Sequence, residues 1–284
     1  MKKALLSAAF AAAVILPSCN KVQTEEPGVP VPIVFSVPTA EFETVSKAVS
    51  EVTKANLSSV YVTATTGSDG SEELAWLNAV FTLNENEYTG NQYWPATDQH
   101  YHFYISNKEM QLSGGRILIN VDSADDDVVY CFLASPGYKS MNNITLSHAL
   151  ARIDAVWVEA LNDYTLSNVS VTITPYLPQQ GTTFNPKDYT WDNTAASGAV
   201  ELTNGSEGKT TNDFMFVPGS YSLTASWTAT KGTYTENLNS TSGNYMFDGG
   251  FKTDIVCKLG GNAMDVVTSI NVKSWSYRNY NVTF

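Results

Sequence analysis

Two-residue alternation of apolar and polar side chains recurs through most of the sequence, and it is the feature that most limits the folds open to this chain. Between Val60 and Thr65, a Val or Ala at one position is followed by a Tyr or Thr at the next. Successive side chains of a β-strand point to opposite faces, so this spacing predicts a strand with one buried face. Glycine, serine and aspartate at 67–70 then predict a turn.

The same pattern predicts two sets of strands. The first set continues at residues 74–83, 100–106, 116–121 and 128–134. The second set lies at residues 151–158, 164–174, 213–217, 221–230, 253–259, 266–275 and 280–284. The Ala- and Leu-rich stretch at 147–161 could form a helix, but Ile153, Ala155 and Trp157 alternate and favour a strand. Many short strands without a long helical pattern are typical of β-sandwiches.

Chain length and a change of pattern near residues 142–148 predict two domains. Without residues 1–18, the chain is too long for one sandwich of about 100 residues and suits two. We therefore expect an all-β protein with two tandem antiparallel β-sandwich domains of Greek-key, transthyretin-like type. The predicted domains are residues 31–147 and 148–284.

The first nineteen residues have the pattern of an export signal. Lys2 and Lys3 precede an apolar run at 4–16, and small residues precede Cys19. This pattern predicts a secretory signal peptide at 1–18, and the apolar run is too short to span a bilayer. The alternative is an ordinary secreted protein in which the cysteine is fortuitous.

Two further segments connect the leader to the predicted sheets. Residues 19–30 contain two glutamates, two prolines and a glycine without periodicity, which predicts a disordered tether. Val31–Val37 is strand-like, but prolines at 30, 32 and 38 remove ladder donors. Such a strand is expected at the edge of a sheet.

Composition agrees with sheet structure and limits the partners. Fifteen Tyr, twelve Phe and six Trp suit pleated surfaces, and only 15% of the residues are charged. The formal net charge is −12, which becomes −14 when the two lysines of the leader are removed. Nucleic acid is an unsuitable partner, because phosphate binding needs a basic stripe that this sequence lacks.

The histidines and aspartates suggest metal sites that the local pattern does not support. Asp98, His100 and His102 would share one strand face and could bind zinc, but no fourth ligand is visible. We expect these histidines on the solvent side of their strand. Asp125–Asp127 lacks the spaced ligands of a calcium loop and is expected to be a solvated turn. His148 is expected to be a hydrogen-bonded structural residue.

Neither cysteine chemistry nor catalysis has a clear signature. Cys131 and Cys257 lie inside apolar strands, so we expect buried thiols, with a disulfide between them as the alternative. The sequence contains no G-x-S-x-G, H-E-x-x-H, C-x-x-C or phosphate loop. We therefore expect no enzyme activity, no cofactor and no metal.

Several short motifs, taken in order, resemble the fimbrillin family, whose members are lipoprotein subunits of type V pili. The resemblance spans nearly the whole chain, and its force comes from the order and spacing of the motifs. The motifs are Leu16-Pro17-Ser18-Cys19, which resembles a lipobox, the strand at 31–37, Lys47-Ala48, Tyr93-Trp94-Pro95 before Phe103-Tyr104, His148-Ala149-Leu150-Ala151-Arg152, and a terminal strand with Trp275.

The resemblance implies a donor-strand mechanism. Lipidation at Cys19 would anchor the precursor to the outer membrane. A trypsin-like protease would cut at Lys47-Ala48, or at Lys54, although the family usually has arginine there. The first strand would leave its groove, and a strand of the next subunit would replace it.

The family also assigns roles to particular side chains. The displaced strand would present Ile33, Phe35 and Val37. The donor strand would lie within 270–284, where the alternating residues are Ile270, Val272, Tyr280, Val282 and Phe284. The alternative is that this segment is simply the last strand of the second sandwich. Asp122-Ser123-Ala124 resembles an O-glycosylation sequon, which would make Ser123 the modified residue.

The resemblance therefore predicts a cell-surface fimbrial subunit that supports adhesion. Its expected partners are other fimbrillin subunits, the processing protease, and a host or bacterial surface ligand. The alternative is a surface lipoprotein that does not polymerise, either a pilus anchor or a glycan-binding module with exposed Trp and Tyr. A glycan-binding module would need those rings as stacking platforms.

Overall fold

The computed structural model describes residues 30–37, 57–67, 72–95, 100–136, 142–196, 198–262 and 267–274, and these residues form strands and connections without a helix. The strands of the first half are β1 (Pro32–Ser36), β2 (Ser59–Thr66), β3 (Glu73–Asn84), β4 (Glu87–Tyr93), β5 (Tyr101–Ser106), β6 (Met110–Ser113), β7 (Arg116–Asn120), β8 (Val129–Leu133), β9 (Asn142–Asn143) and β10 (Ser147–His148). The strands of the second half are β11 (Ala151–Ala160), β12 (Thr165–Ile173), β13 (Tyr176–Leu177), β14 (Thr183–Asn185), β15 (Thr190–Asp192), β16 (Ala195–Ala196), β17 (Val200–Glu201), β18 (Gly208–Phe216), β19 (Gly219–Lys231), β20 (Tyr234–Phe247), β21 (Phe251–Leu259) and β22 (Val267–Ser274).

An eight-stranded sheet in the first half curls around its own core. Its strand order is β10-β8-β5-β2-β3-β4-β1-β9. In a flat sheet β1 and β5 would lie roughly 19 Å apart, at about 4.8 Å per strand. The rings of Phe35 in β1 and Phe103 in β5 nevertheless lie 5.1 Å apart. The sheet therefore folds over, and its two ends form the two layers of a sandwich.

A second sheet covers the outer face of β2, β5 and β8. Its strand order is β15-β14-β7-β6, and between the sheets lies a second core that includes Tyr104, Ile119 and Phe184. The sequence predicted only one buried face for the strand at Val60–Thr65, which is wrong because Thr63 and Thr65 are also buried. These threonines lie on the face that the second sheet covers.

This covering sheet is shared by the two halves of the sequence. β6 and β7 come from the first half, while β14 and β15 come after the predicted boundary at 147/148. In the register of the ladder, Phe184 of β14 lies opposite Ile119 of β7. Arg116 also forms a salt bridge of 2.7 Å with Asp192. A hairpin of the second half thus completes a layer of the first sandwich.

The second sandwich consists of two four-stranded sheets. Their orders are β18-β11-β21-β22 and β17-β12-β19-β20, and the core between them includes Trp227, Phe216 and Phe247. The all-β, two-sandwich prediction is confirmed. Not every pairing is antiparallel, however, because β11 runs parallel to β21 and β1 runs parallel to β9.

The two cysteines of the described chain are buried in different cores. Cys131 belongs to the core inside the curled sheet, and Cys257 belongs to the core of the second sandwich. Both are thiols rather than a disulfide, as expected for cysteines within apolar strands. Burial raises the pKa of the Cys131 thiol to about 11, which suppresses its reactive thiolate form.

Candidate functional site: the first strand and its groove

The first strand is held in a groove between β4 and β9. It pairs antiparallel with β4, where Phe35 faces Tyr88 and Ser36 faces Glu87. On its other side it pairs with the two residues of β9. The sequence predicted that β1 forms the edge of its sheet, but one short strand, β9, lies outside it. β9 is too short to protect most of that side of the ladder.

Backbone hydrogen bonds extend the seating beyond both ends of β1. Val31 accepts a bond of 2.8 Å from the Trp94 N–H, and the Val37 N–H donates to Asn86 at 2.9 Å. The Ile144 N–H donates to the Ser36 carbonyl at 2.9 Å. Together with the ladder, these bonds hold the segment from 31 to 37 as one strand of the fold.

The three apolar side chains predicted for the displaced strand all face the core. Ile33 and Phe35 are fully buried and Val37 is 6% exposed. The outward positions are exposed or half-buried, at Pro32 and Val34. Alternation along this strand thus places its largest side chains in the interior.

Aromatic rings surround Phe35. Its ring lies 5.3 Å from Phe81 and 5.1 Å from Phe103, in edge-on geometry in both pairs. Trp94 in turn lies 5.8 Å from Phe103 and 5.9 Å from Tyr101. Such pairs add about 0.5 to 1.5 kcal/mol each beyond the burial of area. The groove walls therefore contact one another as well as β1.

Two residues of β4 shape the groove. The Tyr88 hydroxyl donates a 2.9 Å bond to the Leu57 carbonyl, just before β2, and burial raises the pKa of Tyr88 to about 12. A Cβ at Gly90 would lie 3.0 Å from the Phe81 ring and 3.0 Å from the Val80 carbonyl oxygen. Glycine therefore allows β4 to pack closely against β3.

The pairing and burial of β1 determine what its withdrawal would expose. Withdrawal of β1 would leave β4 with an unpaired edge and would open the apolar space filled by Ile33, Phe35 and Val37. An edge of this kind is a template for a new strand, with backbone bonds for affinity and side-chain pockets for specificity. A replacement would need apolar residues at alternate positions.

Several predicted site residues lie outside the described residues. They are Cys19, Lys47, Ala48, Lys54, Tyr280, Val282 and Phe284. In the sequence, both lysines fall between β1 and β2.

The described part of the donor candidate is paired within the second sandwich. Ile270 and Val272 belong to β22, where they lie opposite Ile255 and Thr253 of β21. Over residues 267–274, the segment is therefore the last strand of its sheet among the described residues of its own chain. This is the arrangement expected if the segment is the last strand of the second sandwich.

The predicted glycosylation sequon lies on a surface turn. Ser123 is half-buried, and its Oγ accepts a 3.1 Å bond from the Asp125 N–H. The Asp122 carboxylate accepts a 2.9 Å bond from the Gly181 N–H, next to the shared sheet. Modification of Ser123 stays a prediction.

The histidines differ from one another in their surroundings. His100 is exposed, but His102 is buried, so its predicted solvent-side position is wrong. His102 faces the covering sheet, donates from Nε2 to Gly67 O at 3.1 Å and accepts at Nδ1 from the Ser135 N–H. No cluster of three or more His, Cys, Asp or Glu suited to a metal occurs in the described part of the chain.

His148 is a hydrogen-bonded structural residue, as predicted. Its Nδ1–H donates to Asp127 at 2.7 Å, and both side chains are buried. The solvated turn predicted for Asp125–Asp127 is therefore wrong at Asp127, because that carboxylate turns inward to meet the histidine.

The sequence patterns did not predict the two strands that flank β1, which are β4 and β9. β4 follows a turn at Glu85-Asn86, and Glu85 has a positive φ of 55°. The alternation of apolar and polar residues in β4 is weak, because Gly90 stands on the inward face where an apolar side chain would mark a strand. A turn signal after the apolar strand at 74–83 was the available clue. β9 consists of two asparagines and has no strand pattern of its own.

Structural comparison identifies proteins with this fold. No family model and no curated protein matches the sequence. A fimbrial protein from Bacteroides vulgatus ATCC 8482 is 17% identical and superposes with a TM-score of 0.52, covering 86% of this chain and 99% of its own. A proposed cell adhesion protein from Parabacteroides distasonis ATCC 8503 is 9% identical with a TM-score of 0.53, covering 89% and 99%.

At these identities the likeness establishes the fold alone. The described residues contain no helix long and apolar enough to cross a membrane. Both similar proteins come from Bacteroidales, and the likeness agrees with the fimbrillin resemblance in the sequence. This chain therefore has the two-sandwich fold of these fimbrial and cell adhesion proteins.

Proposed function

We propose that the protein is a structural subunit of a cell-surface fimbrium that supports adhesion and has no catalytic role. It is exported as a lipoprotein, anchored through Cys19 to the outer membrane, cut by a trypsin-like protease, and polymerised by strand exchange. The fold shared with a fimbrial protein supports this proposal.

The observation that carries the proposal is the seating of β1. This strand fills the apolar core of the curled sheet, yet its only onward connection to that sheet is the segment that contains Lys47 and Lys54. A cut after either lysine would leave β1 on the lipid side, held by non-covalent contacts alone. Strand exchange requires this separation.

Charged groups in the described residues support a structural role. The buried His148–Asp127 pair and the Lys187–Glu72 pair each connect separate segments of the chain. Such pairs can hold distant segments of the backbone together, a role that needs no catalytic step.

The partner strand must fit the β1 groove. The proposed donor is the C-terminal segment of another subunit. While residues 267–274 stay paired with β21, the donor residues would be Tyr280, Val282 and Phe284. Their spacing repeats that of Ile33, Phe35 and Val37.

The pairing of β22 also supports an alternative, a surface lipoprotein that keeps its own strands and does not polymerise. A glycan-binding version is less favoured. No two of the exposed aromatic side chains in the described chain share a strand: Tyr93, Trp157, Tyr176, Tyr189 and Tyr234.

The test compares cells that make the wild type with cells that make a Lys47→Ala, Lys54→Ala double variant. The wild type should begin at Ala48 or Ala55 by mass spectrometry. It should also form ladders on electrophoresis that disappear on boiling. The double variant should keep its lipid at Cys19 and run as a monomer.

Lys108→Ala is the matched control, because Lys108 is a surface lysine paired with Asp126 outside the β1 connection. It should behave as the wild type does. Ladders that persist in the uncut double variant would refute strand exchange. An uncut, monomeric wild type would favour the anchor or binding lipoprotein.

A further inference from the structure

The outermost strand of the second sandwich has an unusually bare edge. β20 is 14 residues long and ends the sheet β17-β12-β19-β20. Among the described residues, its ladder partner is β19 alone. The edge is regular from Tyr234 to Thr241, and a bulge follows opposite Leu223.

On β12, β19 and β20, the outer face of this sheet is an array of hydroxyl and amide side chains without charge. The exposed Glu201 of β17 borders the array and accepts a hydrogen bond from the Ser170 hydroxyl. Three neighbouring strands contribute to the array. The array consists of Thr165, Ser167, Ser170 and Thr172 in β12, Ser222, Thr224, Ser226, Thr228 and Thr230 in β19, and Thr235, Asn237, Asn239 and Thr241 in β20.

Hydroxyl and amide groups of this array already form hydrogen bonds with one another between β19 and β20. Thr224 and Thr241 are joined by a 3.3 Å hydroxyl bond, and Thr230 and Thr235 by a 3.2 Å bond. Thr228 donates to the Asn237 Oδ1 at 2.7 Å. Hydroxyl and amide groups both donate and accept, so the same chemistry can repeat across a further strand pair.

Two amides at the edge retain hydrogen-bonding capacity. The Asn237 side chain uses its oxygen toward Thr228, which leaves its NH₂ group without a partner in the described structure. The Asn239 side chain forms no hydrogen bond within the described residues, and it is exposed. Both side chains point to the outer face of β20.

The other edges of this sandwich carry features that oppose strand addition. β18 contains Lys209 and a positive-φ residue at Asp213. β22 contains Lys273, and β17 is only two residues long. β20 has no lysine, arginine or proline, and Glu236 is its one charged residue. Edge lysines, prolines and distortions are the usual protection against pairing.

We propose that the β20 edge binds the β20 edge of a second copy, antiparallel about a two-fold axis at Leu238. The numbers of two residues that lie opposite each other then add up to 476. Thr235 of one copy therefore lies opposite Thr241 of the other, and Asn237 lies opposite Asn239. Glu236 meets Ser240, which keeps the two carboxylates apart. This register uses the whole regular edge and stops at the bulge.

The low charge of this edge makes it the approach at which two copies repel each other least. Each chain carries a net charge of −12, so two copies repel each other across most approaches. The β20 edge and its outer face bring almost no charge to the contact. A two-fold contact closes on itself, so it predicts a dimer rather than a filament. The inference is independent of strand exchange at β1.

The first experiment is sedimentation equilibrium of the full chain carrying Cys19→Ser, from about 1 µM to about 1 mM. A concentration-dependent dimer is expected. Asn237→Lys with Asn239→Lys sets lysines opposite each other twice, which should raise the dimer Kd by about tenfold or more. Ser167→Lys, on the same face but two strands inward, should leave the Kd nearly unchanged.

The second experiment tests the register by disulfide cross-linking. An Asn237→Cys chain mixed with an Asn239→Cys chain should cross-link in higher yield than either chain alone, because directly opposite residues have the closest Cβ atoms. A monomer at every concentration would overturn the proposal. A dimer that survives the double lysine change, with the circular dichroism spectrum unchanged, would also overturn it, as would cross-linking without the expected preference.

Discussion

Phe35 is the residue on which the seating of the first strand most depends. It is fully buried and lies in edge-on contact with Phe81 and Phe103, from β3 and β5. Val34, its neighbour, points to the other face and is half-buried. The two residues share one strand and one set of backbone bonds, so they separate the contribution of the core from that of the ladder.

Phe35→Ala should lower the free energy of unfolding by about 3 to 5 kcal/mol, because it removes ring contacts and leaves a cavity. Val34→Ala should cost less than about 1 kcal/mol. Urea unfolding of the uncut chain measures both changes. Equal losses for the two variants would mean that the ladder, rather than the ring, secures β1.

Glu72 links the two halves of the chain at the residue scale. It accepts hydrogen bonds from Thr65 at 2.8 Å and from Tyr104 at 3.0 Å, and it forms an ion pair with Lys187 of the β14–β15 hairpin. Burial by itself would raise the pKa of Glu72. The hydrogen bonds and the Lys187 charge outweigh burial and lower that pKa below its ordinary value of 4.5.

Glu72→Gln should therefore destabilise the protein at pH 7 by about 1 to 3 kcal/mol. Because the folded pKa is lowered, the contribution of the carboxylate is complete above pH 4.5 and is lost as pH falls through the folded value. Urea unfolding should show a smaller difference in the free energy of unfolding between wild type and variant in acid than at pH 7. Glu109→Gln, at an exposed site, is the control, and a constant difference across pH would contradict the argument.

At the scale of elements, the β14–β15 hairpin is the decisive piece. Phe184 of β14 is 2% exposed, and its ring lies 4.7 Å from Tyr130 and 4.9 Å from Trp191. Tyr189, at the hairpin end, is 63% exposed. The hairpin therefore contributes core to the first sandwich although it belongs to the second half of the sequence.

Phe184→Ala should cost about 3 to 5 kcal/mol and should loosen β7, its neighbour from the other half. Native-state hydrogen exchange should show faster exchange at Ile119, the residue opposite Phe184. Tyr189→Ala should leave that exchange nearly unchanged. Protection of Ile119 that survives the loss of Phe184 would show that β7 is held without the hairpin.

At the scale of the whole molecule, the shared sheet couples the two sandwiches. Two independent domains would melt separately, but here a hairpin of one completes a layer of the other. Calorimetry of the full chain should therefore show one cooperative transition, with equal calorimetric and van't Hoff enthalpies. Two resolved transitions in the wild type would contradict this coupling. Phe184→Ala should bring the transition closer to separating into two.

Patterns within single strands were sufficient for many elements. The strands at 74–83, 151–158 and 221–230 were predicted with nearly their observed bounds. β20 and β4 were missed for a shared reason. Their exposed faces carry Thr, Asn and Gly, which are common in loops, and their inward residues are not consistently apolar. Pairing with an apolar neighbour makes such segments strands.

The sequence by itself determined the all-β class, the two-sandwich fold and the inward face of β1, because alternation and side-chain polarity are local properties. Only the tertiary structure decided that Thr63, His102 and Asp127 are buried. Thr63 and His102 lie on a face that looks polar until the covering sheet, half of it from β14 and β15, is placed on it. Asp127 lies in the connection before β8 and is buried in its contact with His148. Sequence spacing does not encode such a contact, since the free energy of burial depends on which distant segments meet.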